Sequence, residues 1–303
     1  MKIIAVVVTY NRLELLKRTI SCLRGQSRPL DELLVVNNGS TDGTSDWLDT
    51  QQGLHAITQT NTGGSGGFHT GIRAAFLRQA DWIWCMDDDV FPRADCLERL
   101  LRHTDDAPRT GILAPRRLLE GRIFTNDFRA LNLTNPFASM YQKKLKGQAV
   151  DAPTDICGTA FEGLCISKEC VAEIGLPNRD FFIFCDDTDY CIRAVLARYR
   201  IRYIPDALMD KQRFFTQCSW SERQHQKKWK RFYQVRNATY LNHRYGRNWA
   251  VRYLRGLNGA LGYILIVLLT APFTKAYRWG DIRRFWKAYR DGVQERLGNM
   301  SMT

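Results

Sequence analysis

The tightest constraint on this chain is an abrupt change of character, from Trp82-Ile83-Trp84-Cys85-Met86 to Asp87-Asp88-Asp89. The first five residues are apolar and aromatic, without glycine or proline, the mark of a buried strand. Burying three adjacent carboxylates would cost several kcal/mol without a cation or strong donors beside them, so the triplet belongs at the strand's exit. Hard oxygen ligands clustered at a strand end suit Mg2+ or Mn2+, an ion commonly shared with phosphate groups. A solvated acidic turn leading into Pro92 and a helix accounts for the same residues, and the triplet alone does not decide between the two.

The pattern of an apolar run closed by a polar loop recurs along the first half of the chain. Residues 2–8 are apolar on both faces, as in a parallel strand, and Thr9-Tyr10-Asn11-Arg12 follows as a turn. Asn11 and Glu14 have the spacing of an N-cap and its partner, and Leu13, Leu16, Ile20 and Leu23 share a helical face. A second strand over residues 32–36 is closed by Asn37-Asn38-Gly39-Ser40-Thr41-Asp42-Gly43-Thr44, too polar for packed structure, and a short helix through Trp47 and Leu48 follows.

A weaker strand near residues 54–59 leads to Asn61-Thr62-Gly63-Gly64-Ser65-Gly66-Gly67-Phe68. Four glycines in five residues let a backbone approach an anion closely, with a helix from about 69 to 79 lending its N-terminus. A flexible turn is the plainer explanation, and no G-x-G-x-x-G spacing is present. Further on, the pattern predicts a helix over 92–103, a strand over 111–115, an unpatterned insertion over 116–154, and a helix capped by Ser167. Strands alternating with helices predict an α/β fold with a largely parallel sheet, in which ligands bind beyond the carboxyl ends of the strands.

A second aromatic segment, Phe181-Phe182-Ile183-Phe184-Cys185, delivers Asp186-Asp187-Thr188-Asp189 at the start of a helix. The helix macrodipole favours acids there, which is one explanation. A carboxylate at a helix start among other negative groups also suits a general base, and Arg193, one turn on from Asp189, is placed to pair with it. His69, alone at a helix start, reads as structural.

The chain of 303 residues is 45% hydrophobic and 25% charged, enough for a full core and unlike a disordered protein. Its apolar start lacks a small-residue cleavage site and reads as a strand, not a leader. Nine scattered cysteines without a C-x-x-C pair fit reduced thiols of a cytoplasmic protein. The net charge of +13 is uneven: residues 211–303 carry about 19 Lys and Arg against about 4 Asp and Glu, leaving residues 1–210 slightly acidic.

Taken in order, Val8 to Arg12, Asn37 to Thr44, Asn61 to Phe68, Asp87 to Asp89, and Asp186 to Asp189 with Arg193 resemble the motifs of family 2 inverting glycosyltransferases. The resemblance covers roughly residues 3–240 and is greatest to galactofuranosyltransferases and rhamnosyltransferases of bacterial cell-surface glycans. It implies a GT-A fold, Rossmann-like with a mostly parallel sheet flanked by helices, over residues 1–240, and a basic helical C-terminal extension over 241–303. It further implies that Thr9, Arg12, Asn38, Asp42, Gly64 and Asp88 lie around a UDP- or dTDP-sugar donor. Asp87 and Asp89 would ligate Mn2+ or Mg2+, Asp187 would be the base, and Asp186 and Arg236 would face the acceptor. Relatives often have aspartate where Asn37 and Asn38 stand, and a metal-binding histidine after the last strand. Here that stretch is Pro205 to Lys211, so Asp210 or water is the candidate third ligand.

The tail holds an apolar run, Leu261 to Leu269, too short by itself to span a bilayer and flanked by arginines, Trp249, Tyr253, Tyr277 and Trp279. Ile282, Phe285, Trp286, Tyr289 and Val293 share a second apolar face. Such segments suit the surface of an anionic membrane at the inner face of a cell, and so a lipid-linked acceptor; the alternative is that they pack on the chain itself or on a second copy. No RNA-binding motif is present and no nucleic-acid partner is expected, although a basic protein binding a membrane or RNA surface is the non-enzymatic alternative.

Overall fold

The computed structural model describes residues 1–212, 220–273 and 276–300. By contacts the chain forms two compact units: Met1–Ala130 with Lys143–Arg179 and Asp186–Arg213, and Leu131–Gln142 with Asp180–Cys185 and Phe214–Thr303.

The first unit is built on β1 (Ile3–Thr9), β2 (Glu32–Asn37), β3 (His55–Thr58), β4 (Trp82–Asp87), β6 (Thr110–Leu119), β11 (Leu164–Ser167) and β12 (Arg200–Lys211). With β10 (Thr154–Ile156) at one edge, the order is β10-β12-β6-β11-β4-β1-β2-β3; β5 (Val90–Pro92) pairs with β12 and β7 (Arg122–Phe124) with β6. The pairs β4-β1, β1-β2, β2-β3 and β6-β12 are parallel, whereas β11 runs antiparallel to both β4 and β6. The mostly parallel sheet expected from the pattern is therefore present. The stretch over 116–154 forms the end of β6, then β7 and the β8 (Phe128–Leu131) and β9 (Tyr141–Lys144) ladder.

The two-sided apolar character of β1 has a direct cause. Ile4, Val6 and Val8 lie in one core cluster with residues of α3 (Gly63–Leu77), α5 (Lys168–Ile174) and α6 (Asp186–Leu196), whereas Ile3, Ala5 and Val7 lie in another with residues of α1 (Leu13–Arg24), α2 (Thr44–Asp49) and α4 (Cys96–Leu101). With a period of two, a strand covered on both faces has no polar position to spare.

Two local expectations are corrected. Asn11 does not cap α1: it sits at φ 52 and its Oδ1 accepts from the Thr41 amide at 2.7 Å, while Asp42 Oδ2 accepts from the Leu13 amide at 3.0 Å and so caps α1 from the next loop. The glycine-rich stretch is not a loop before a helix, because α3 begins at Gly63. A Cβ on Gly67 would lie 2.4 Å from Val8 Cγ1, and one on Gly71 would lie 2.3 Å from Val6 Cγ1, so these glycines let α3 lie close on β1. Gly64 has open space around its Cβ position. Gly71→Ala is accordingly expected to cost ~1–3 kcal/mol by overpacking, read as a lower urea midpoint. Gly64→Ala should raise the midpoint slightly, by up to ~1 kcal/mol, since alanine is the better helix former.

The second unit is helical. It contains α7 (Trp220–Tyr245), which runs through residue 240, α8 (Gly256–Thr270) and α9 (Gly280–Val293). Phe232, Val235, Ala260, Val267, Tyr277, Phe285 and Ala288 form its core, so the apolar face of α9 is internal, with Trp286 at its exposed margin. Asn237 Nδ2 donates to the carbonyls of Phe181, Ile183 and Phe184 at 2.8–3.1 Å. These bonds hold a loop in which Phe182, Phe184 and Cys185 all have positive φ (65–69°), conformations that cost ~1–3 kcal/mol each and persist only where neighbours impose them. Lys275 lies outside the described residues.

Candidate functional site

Because β1, β2 and β4 are parallel, their carboxyl ends, Thr9, Asn37 and Asp87, reach one edge of the sheet. The antiparallel β11 starts at that edge: Gly163 donates its amide to the Cys85 carbonyl at 2.9 Å, which brings Glu162 beside the end of β4. Strands β6 and β12 contribute Arg117 and Lys211.

Asp88 is buried and fixed. It accepts from Thr9 Oγ1 at 2.7 Å and from Arg12 Nη1 at 3.1 Å, and its carbonyl accepts from Thr19 Oγ1 at 2.8 Å. Arg12 also reaches Asp89 Oδ2 at 3.4 Å, and Lys211 Nζ stands 4.0 Å from Asp89 Oδ1 while bonding to Glu162. Asp89 Oδ1 is buried without a hydrogen-bond partner. Burial, then the charges of Asp89 and Asp88, pushes Asp87 well above the usual carboxylate range; burial also raises Asp88 and Asp89. Arg117 is wholly buried and bonds to Asp127 at 2.6 Å and Glu162 at 3.0 Å. Although burial works against its charge, Arg117 and Lys211 hold Glu162 below the ordinary range.

Asp187, at the start of α6, accepts from the Thr188 amide at 2.6 Å and Thr188 Oγ1 at 3.1 Å. Burial pushes it up to about 6 against these donors, with Glu162 and Arg117 near enough to act on it in opposite senses. Burial and then the Asp187 charge push Asp186 up to about 7. Asp189 pairs with Arg193 at 2.9 Å, as its spacing predicts.

Six carboxylates, Asp87, Asp88, Asp89, Asp127, Glu162 and Asp187, thus interact with three cations, Arg12, Arg117 and Lys211. A divalent cation would suit this excess of negative charge, and the Asp89 oxygen without a hydrogen-bond partner could serve it as a ligand. Among the described residues no three His, Cys, Asp or Glu side chains form a preassembled metal cage, so phosphate oxygens and water would complete the shell.

The other expected donor-side residues have local duties. Asn38 is buried; its Nδ2 donates to the Gly63 carbonyl at 2.9 Å, and its Oδ1 accepts from Gln59 Nε2 at 2.9 Å and the Thr62 amide at 3.2 Å. It thereby shapes the entry to α3, on which Gly64 sits. Asp42 binds Thr44 Oγ1 at 2.5 Å besides capping α1. Asp210 is ion-paired with Arg93 at 3.2 Å at the surface. His69 Nδ1 lies 2.8 Å from the Pro177 carbonyl, a structural contact.

In the second unit, Arg236 is buried and donates to Gly298 O at 2.5 Å, Phe181 O at 3.0 Å and Asn237 Oδ1 at 2.8 Å. These bonds tie Arg236 into its own unit. Sequence reasoning missed Glu162, Arg117, Asp127 and Lys211; the available signal was a lone acid within the apolar stretch Phe161-Glu162-Gly163-Leu164.

Residues 4–164, just over half of the chain, match the family described as Glycosyl transferase family 2. Over 90 residues, 29% of this chain, the sequence is 38% identical to galactofuranosyltransferase GlfT1 of Mycolicibacterium smegmatis, covering 30% of that protein. Over 130 residues, 41% of this chain, it is 33% identical to undecaprenyl-phosphate mannosyltransferase of Micrococcus luteus, covering 51% of it. The matches thus span about a third to a half of these relatives' lengths. Among solved structures, TarS 1–349 of S. aureus superposes with a TM-score of 0.56 at 15% identity, over 98% of this chain and 83% of that one. GalNAc-T7 with UDP, GalNAc and Mn2+ gives a TM-score of 0.57 at 13% identity, over 86% of this chain and 54% of that one. These two likenesses concern the GT-A fold alone.

Proposed function

Because the chain belongs to glycosyl transferase family 2, we propose that it transfers a sugar from a nucleoside diphosphate to an acceptor hydroxyl with inversion at the anomeric carbon. Asp187 takes the hydroxyl proton, the acceptor oxygen forms a bond to the anomeric carbon, and the bond from that carbon to the diphosphate breaks on the opposite face. The electron pair leaves with the nucleoside diphosphate. Asp87 and Asp89 would hold Mn2+ or Mg2+, which offsets charge growing on the leaving phosphates. Asp88, locked by Thr9 and Arg12, keeps the turn that carries both ligands rigid.

The observation that carries this reading is the pairing of two environments on one unit. One is a carboxylate cluster with an unpartnered buried oxygen; the other is an aspartate at a helix start raised to about 6, near the working range of a base. The residue types also argue against a covalent protein nucleophile: the described cysteines are mostly buried, and burial pushes several of their thiols up, away from reactive thiolates.

For the donor we favour UDP-galactofuranose, on the identity to proteins named galactofuranosyltransferase. The acceptor class we favour is a cell-surface glycan or lipid-linked sugar used at the inner face of the membrane; the M. luteus relative is named for a lipid phosphate. Calorimetric titration of UDP and dTDP, each with Mn2+ and with chelator, tests this. Metal-dependent binding of UDP over dTDP is expected. Preference for dTDP would replace the donor by dTDP-rhamnose, and binding of neither under any condition would remove the transferase reading.

A further inference from the structure

The apolar run Leu261 to Leu269 does not stand alone as its composition suggested. A π-helical turn, Ala250–Arg255, leads directly into α8, giving 21 residues of helix, Ala250–Thr270, long and apolar enough to cross a membrane by length and composition. Its surroundings argue for a different use. Gly256, Ala260 and Val267 are buried, and Tyr263 and Ile264 pack on the same core, against residues of α7 and α9 such as Phe232 and Phe285. Tyr263 and Phe285 stack with ring centroids 4.9 Å apart. One side of the helix is thus attached to its own unit.

The opposite side is bare. Leu261, Leu265, Leu268 and Leu269 recur at helical spacing and are exposed, Leu265 to 55% and Leu269 to 64%, and Phe273, just beyond the helix, is exposed to 84%. Scattered exposed leucines need no explanation, but a stripe of four on one face, continued by a phenylalanine, does. Exposed Arg247, Trp249 and Arg252 precede it, and exposed Arg278 and Trp279 follow it. Cations and indoles at the two ends of an apolar stripe match the headgroup level of an anionic bilayer, and the strong excess of Lys and Arg beyond residue 210 supplies the charge complementarity.

We propose that α8 lies in the plane of an anionic lipid surface, its leucine stripe sunk among the acyl chains and its other side still packed on α7 and α9. The helix does not span, because spanning would strip it from that core. This deepens the reading of a lipid-linked acceptor above, but it is tested without donor or acceptor, so either can fail alone.

The experiment is co-sedimentation of the purified full chain with preformed vesicles of phosphatidylcholine, with and without phosphatidylglycerol. Binding to the anionic vesicles is expected to be at least about tenfold tighter than to phosphatidylcholine alone. It should weaken as KCl is raised from 0.1 M to 1 M, where the Debye length falls from about 10 Å to about 3 Å. The double variant Leu265→Asp/Leu269→Asp should lose vesicle binding while keeping its melting temperature, since both side chains are exposed. Alkaline carbonate should release the bound protein. Unchanged binding by the double variant, or wild-type protein that ignores vesicles and instead forms a dimer that the same variant splits, would overturn the proposal. Resistance to carbonate would overturn the in-plane orientation in favour of a spanning helix.

Discussion

Asp187→Asn is expected to bind UDP and Mn2+ as the wild type does and to lower kcat by about 10²–10⁴, the usual contribution of a positioned base. The substitution keeps an acceptor oxygen for the Thr188 amide and hydroxyl, which bind the carboxylate at 2.6 and 3.1 Å, so the start of α6 should not move. The pH profile adds a signature that mere misfolding would lack. Burial raises Asp187 to about 6, so wild-type kcat/KM should fall below that pH as the base becomes protonated, whereas the residual rate of the variant should lack that limb. Stability supplies an independent check with a definite sign. A carboxyl raised from about 3.9 in the unfolded chain contributes stability below that pH and loses it as pH climbs through about 6. The permanently neutral asparagine should therefore melt above wild type at pH 7.5 and level with it at pH 4. Full turnover by Asp187→Asn would remove this residue as the base and turn attention to Asp186, its neighbour raised to about 7.

Much of this arrangement was legible in the sequence because a parallel sheet converts strand order into site location. Val8 to Arg12, Asn37 to Thr44 and Asp87 to Asp89 each follow a buried apolar run, and parallel pairing of β1, β2 and β4 brings all three to one edge. Glu162 escaped that logic because β11 is antiparallel: its amino end, not its carboxyl end, meets the site. Arg117 and Lys211 were hidden in long strands whose pairing contains a register shift between Ile204 and Leu208, which blurs the period-two pattern before the site is reached. The glycine stretch was misjudged for a physical reason. Gly disfavours helix on its own, but here the 2.3–2.4 Å approaches of Gly67 and Gly71 to valine methyls mean that contact with β1 outweighs propensity. In the extension, composition marked two apolar segments and only packing told them apart, since Phe285 of α9 is internal while Leu265 and Leu269 of α8 are not.

The second large effect is expected at Asp89. Asp89→Ala should abolish the part of UDP binding that depends on Mn2+, a loss of at least about 100-fold, because even changes behind a metal ligand cost roughly 10–100-fold in metal affinity. Residual affinity should equal that of wild-type protein in chelator, and Mn2+ alone should no longer bind. The fold should survive: Arg12 keeps its 3.1 Å bond to Asp88, and Lys211 keeps Glu162. Indeed, deleting a carboxylate from a cluster in which burial raises Asp87, Asp88 and Asp89 together relieves repulsion, so the melting temperature without metal should hold or rise. Mn2+ should then stabilise wild type and leave the variant unchanged, since only a form that binds the ion gains from it. Equal Mn2+-dependent UDP binding by wild type and Asp89→Ala would remove Asp89 as a ligand and leave the ion to Asp87 and the phosphate oxygens.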